Sequence, residues 1–209
     1  MRTAGPAFPA LNASRYVPQF PGTLGGVVRL NLRQILSVLD FYAALVFSVA
    51  ATAYRLQSGS TEPEAFPISA LLVGLALSTC AQCQFGLDSS LSRYHLFPLP
   101  GWKILLAKDI ALLLVLWILV LPLHVRAGLA FGLVALAIGR YPSLVLRVPQ
   151  QRWRFTSGNL RFGILQVVMG TVFGVAEYQR GPYFFVPRLF YTFSPYFFGG
   201  RYWDRMDQI

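Results

Sequence analysis

Ionisable side chains inside apolar segments are costly, so each is a candidate for chemistry. Four stand out in this sequence. Asp40 lies early in the apolar run that begins near Ile35, Lys108 and Asp109 lie early in the run after Trp102, and Glu177 closes a run centred on Phe162 to Ala176. A membrane enzyme would need such groups to converge. Their spacing makes no recognisable catalytic pattern, because H-E-x-x-H, G-x-S-x-G, an acidic metal cluster and the G-x-x-x-x-G-K-[ST] phosphate loop are all missing from the sequence. They read instead as boundary charges with basic partners. Asp40 and Lys108, both placed near the inner boundary, are the expected pair. Cys80 and Cys83 form C-A-Q-C within an apolar run. A structural zinc takes about four ligands, and His95 and His124 lie in other segments. The cysteines read as small helix-packing residues, with a redox pair as the alternative. No catalytic residue, metal or cofactor is expected.

The elements that position these groups follow from composition. The chain has 209 residues, 55% hydrophobic, 15% aromatic and 12% charged, with a mean hydropathy of +0.52. A soluble domain carries about 25% charged residues. The apolar runs are continuous rather than alternating, which favours membrane helices over a barrel. Residues 35–54, 66–85, 104–123, 127–146, 160–177 and 183–199 are the expected spans, forming an all-α bundle of about six transmembrane helices. The last span is aromatic and interrupted by Pro187, Arg188 and Pro195. Residues 1–22 read as a proline-rich cytoplasmic lead with no apolar signal core, and 23–209 as one membrane domain. The Asn12-Ala-Ser14 sequon falls on the cytoplasmic side and is discounted. The stretch LGGVVRLNLRQILSVLD reads either as an interfacial helix or as the basic start of the first span.

The net charge is +10. In a soluble chain that would suggest nucleic acid, which is not expected here. With both termini placed inside, every lysine and arginine falls inside except Arg55, Arg126 and Arg180 outside and Arg188 in the sixth span. Glu62, Glu64 and Glu177 fall outside. Basic residues mark cytoplasmic loops, so the pattern supports six spans with cytoplasmic ends. Gly128-x-x-x-Gly132 and Gly170-x-x-x-Gly174 allow close helix approach, within one chain or between two.

The connector SRYHLFPLPGWKILLAKD, residues 92–109, links the second and third spans on the inside. Pro98 and Pro100 stop any helix before them. Trp102 suits the interface, with Lys103 and Lys108 reaching phosphates. Leu91, Tyr94, His95 and Phe97 make a short apolar face that needs cover from lipid or from a protein partner.

The longer stretch QFGLDSSLSRYHLFPLPGWKILLAKDIALLL resembles the second connector of ABC-2 type transporter permeases. Phe85, Gly86 and Asp88 match its N-x-F-G-x-D start, Pro98 or Pro100 its turn, and Ile104, Leu105, Leu106 and Lys108 its I-L-x-x-K end. GRYPSLVLRVPQQRWRF is similar to the family's G-N-x-x-S-x-x-x-P through Gly139, Ser143 and Pro149, with Arg140 in place of the asparagine. Leu32 and Arg33 are the nearest match to the family's elbow helix, and GGRYWDRMDQI resembles its charged tail. These landmarks cover most of 24–209, in order, like the C-terminal half of two-half members. The resemblance implies a membrane-spanning subunit of an ATP-driven exporter, without ATPase motifs of its own, in a bacterial inner membrane. It implies that connector 86–108 docks on an ABC ATPase subunit through Leu91, Arg93, Tyr94, His95, Phe97, Pro98, Pro100 and Trp102. A second permease domain and membrane lipids are the other implied partners. A structural or degenerate, non-transporting membrane protein is the main alternative, ahead of a lipid-modifying membrane enzyme. The substrate is left open.

Overall fold

The computed structural model of the chain describes residues 22–58, 65–84, 100–146 and 153–180. Among them are six α-helices and no strand: α1 (Gly22–Ile35), α2 (Leu39–Ser58), α3 (Ala65–Gln82), α4 (Gly101–Val120), α5 (Val125–Tyr141) and α6 (Leu160–Arg180). A π-helical turn, Pro142–Leu146, continues α5. Residues 1–21 of the expected lead and the sixth expected span lie outside the described residues, and Gly22 already belongs to α1.

Among the described residues, four helical segments are long and apolar enough to cross a bilayer: Leu39–Ser58, Ala65–Gln82, Val125–Leu144 and Leu160–Gln179. Within lipid a backbone must bond to itself, which a helix achieves segment by segment. Helix α4 has the length, at 20 residues, but carries Lys103, Lys108 and Asp109 in its first half. The first expected span starts later than its hydropathy suggested, at Leu39, because the chain bends at 36–38.

The bend separates α1 from α2. Helix α1 buries Val27, Val28, Asn31, Leu32 and Ile35, spaced three and four apart along one face. That face packs on α4, so it is covered by protein. Asn31 meets Lys108, and Ile35 shares a small cavity with Leu112.

Helix α3 is the centre of the bundle and touches α2, α4, α5 and α6. Phe131 of α5 fills a notch between Gly74 of α3 and Gly170 of α6. A Cβ on either glycine would lie 2.7 or 2.6 Å from its ring. Gly128 and Gly132 face Val120 and Leu116 of α4, and Gly174 faces Leu71 of α3. Both small-residue motifs therefore serve packing within the chain. Helices α2 and α6 lie at the rim. Helix α2 buries only Asp40, Ala44 and Ser48, and Val46, Phe47, Ile164, Val168 and Val172 point outward. Such an oily exterior suits lipid.

Candidate functional site

Most of the buried polar residues gather at the end of the bundle where α3 ends and α4 begins. Lys108, only 1% exposed, donates from Nζ to Asn31 Oδ1 at 2.9 Å and to the Gln84 carbonyl at 2.6 Å. The Gln84 side chain donates to Asp109 Oδ1 at 3.0 Å and accepts from Arg140 at 3.4 Å. Arg140 closes an ion pair on Asp109 Oδ2. A Lys and an Arg thus share one buried layer with one carboxylate and two amides. Buried charge is tolerable only when paired and hydrogen-bonded. Beside this layer lies a cavity of about 20 Å³, lined by Asn31, Gln34, Cys80, Gln84, Lys108 and Leu112, with room for about one water.

A second polar set joins the α1–α2 bend to the segment before α6. Asp40 Oδ2 accepts from the Thr156 backbone N at 2.8 Å and its hydroxyl at 2.9 Å. Its Oδ1 accepts from Thr79 at 3.1 Å. Gln82 donates to Gln166 Oε1 at 2.6 Å and accepts from the Asn159 backbone N at 2.8 Å. Gln166 donates to the carbonyls of Ser78 and Ala135. The expected Asp40–Lys108 pair is therefore replaced. Lys108 faces α1 across the packed α4 surface, whereas Asp40 follows the bend and faces α3.

Cys80 and Cys83 are free thiols. Burial, and then the charge of Asp40, push the Cys83 thiol up to about 12. A thiol so far above neutrality stays protonated, and thiolate is the reactive form, so Cys83 packs as a small apolar residue.

At the opposite end Arg55, in the last turn of α2, donates to the carbonyls of Pro122 and Leu123 beyond α4 and lies over the Phe66 ring at 4.8 Å. His124 caps α5: its Nδ1 accepts from the Ala127 backbone N at 3.2 Å. Partial burial, then the nearby Arg126, hold its pKa below the usual histidine range, with Arg55 adding to the same effect against opposing Glu177.

Of the residues singled out in the sequence, Lys108 and Asp109 sit in the polar layer. Gly139 lets α5 approach α3, since a Cβ there would lie 2.8 Å from the Ala81 backbone. Ser143 is buried in the π-helical turn. Pro100 caps α4, and Trp102 is 44% exposed with Lys103 Nζ 5.5 Å from its ring. Phe85, Gly86, Asp88, Leu91, Arg93, Tyr94, His95, Phe97, Pro98 and Pro149 lie outside the described residues. Sequence reasoning missed Asn31, Gln82, Gln84, Gln166 and the role of Arg140. The signal was available: an amide inside an apolar helix must find a partner. Comparison of the chain with protein-family models, curated proteins and solved structures finds no match in any of the three.

Proposed function

We propose that this chain is a membrane-spanning permease subunit of an ABC-2 type exporter, moved by a separate ATPase that docks on the 86–108 connector. The observation that supports it is the fastening of Gln84, the last described residue before the connector. Its carbonyl is held by Lys108 and its side chain by Asp109 and Arg140. The connector thus leaves and re-enters a bundle end locked by charge. A docking element passes on a push only if both its stems are joined stiffly to the helices they drive. The outcome is a rigid-body shift of the bundle.

Close glycine-mediated packing joins α3, α4, α5 and α6, and the cavity beside the polar layer has room for about one water. A substrate path would accordingly run between this chain and a second permease domain. The same close packing favours the second reading, a structural or degenerate permease that anchors partners without transport. The carboxylates of Asp40 and Asp109 are occupied by the fold, which weighs against the membrane-enzyme reading. A bacterial inner membrane with both termini inside fits the charge distribution.

The test is gentle purification of the full chain from native membranes, followed by mass spectrometry of what accompanies it. An ABC ATPase should be recovered with the wild type and lost from the Tyr94→Ser/Phe97→Ser variant. Recovery of no ATPase, under conditions that keep other transporter complexes whole, would replace the exporter reading with the structural one.

A further inference from the structure

Residues 153–159, just before α6, make a corner that the transport reading does not use. Trp153 adopts φ 58°, a left-handed conformation that is an outlier for a bulky residue. Two backbone bonds hold it there. The Trp153 N donates to the Ser37 carbonyl at 2.8 Å, and the Leu39 N donates to the Arg154 carbonyl at 3.3 Å. Thr156 adds its two bonds to Asp40. This fixed corner lays the Trp153 ring against Tyr42, centroids 6.0 Å apart. It still leaves Trp153 47% and Phe155 65% exposed, with Arg154 and Arg161 exposed beside them. Leu160, 76% exposed, continues the patch onto the oily face of α6.

Charge narrows the partner. The described carboxylates, Asp40, Asp109 and Glu177, are all buried. Every exposed charge among the described residues is therefore positive. Aromatic rings settle at the headgroup level, and arginines there reach phosphate oxygens. An acidic soluble protein would satisfy the arginines but not a patch continuous with a membrane-facing helix. We propose that the Trp153–Arg161 corner binds the headgroups of anionic phospholipids in the leaflet on its side of the membrane. The proposal rests on the membrane placement of the chain and is independent of any ATPase partner. Each arginine near such a surface is worth about fivefold in binding.

The full chain is reconstituted in phosphatidylcholine vesicles, and motional restriction of spin-labelled phosphatidylglycerol is compared with that of spin-labelled phosphatidylcholine. Phosphatidylglycerol should be preferred by at least about fivefold, the effect of a single arginine. The preference should shrink with added salt, fall in R154Q/R161Q and persist in R126Q at the opposite end. Equal restriction of the two lipids overturns the proposal, as does an unchanged preference in R154Q/R161Q. Should that variant not fold, a wild-type preference indifferent to salt overturns it equally. Inorganic phosphate that abolishes the preference at millimolar concentration would assign the corner to free anions instead.

Discussion

Asp109 and Arg140 meet as a buried ion pair that ties the first half of α4 to the last turn of α5. The carboxylate is 1% and the guanidinium side chain 8% exposed. Arg140→Met leaves Asp109 buried without that cation, a loss of about 3–5 kcal/mol in the general case of a broken buried pair. The double variant Asp109→Leu/Arg140→Met removes both charges and should recover much of that loss. Thermal unfolding in one detergent measures all three proteins. Single and double variants of equal stability would show that the pair contributes nothing.

Asp40 holds the 153–159 segment in place. Asp40→Ala leaves the Thr156 backbone N without its acceptor, and an orphaned buried donor costs about 1–3 kcal/mol. Hydrogen exchange should speed up first around Thr156, before the α3–α5 core is affected. Uniform protection in the variant would mean that the bend is held by other contacts.

Phe131 and its two glycines form a size-matched contact. Gly170→Ala and Gly74→Ala each force the ring to move, and overpacking of this kind costs about 1–3 kcal/mol. Phe131→Leu placed on Gly170→Ala should restore part of the stability. None of these changes should alter how many copies associate, because both glycines face inward. A change in mass by light scattering would contradict that.

His124 gives the end of the bundle opposite the polar layer a pH dependence. Its pKa in the folded chain is below the unfolded value of about 6.5. The unfolded state therefore takes up the proton first as pH falls. Stability from the neutral ring is complete above about pH 6.5 and declines as pH drops through the lower folded value. The cap shows why, since a protonated Nδ1 cannot accept from Ala127. Melting curves between pH 7.5 and 5 should show a slope that His124→Asn, a cap without a titration, removes. Identical slopes would assign the dependence to another group.

Helix positions were legible in the sequence because apolar length is a local property. Four of the five expected spans that fall within the described residues emerge as helices of spanning length and apolarity, offset by a few residues at their ends. The offset of the first span has a local cause that hydropathy does not register, the bend at 36–38, and α4 is set apart by the charges in its first half. The packing role of Gly128-x-x-x-Gly132 was half legible. The spacing announced a close approach, but only the neighbours Val120 and Leu116 show that the approach is to α4 of the same chain.

The sequence by itself determined that the chain is built of apolar helices, where they run, and that its carboxylates within them are few. Only the tertiary structure decided who partners whom. Lys108 meets Asn31 across 77 residues, Arg140 meets Asp109 across 31, and Gln82 meets Gln166 across 84. Those pairings depend on which helices are neighbours and on how each is rotated about its axis. Rotation is set by the sum of many weak contacts around the bundle, such as Phe131 between Gly74 and Gly170. No single segment encodes it.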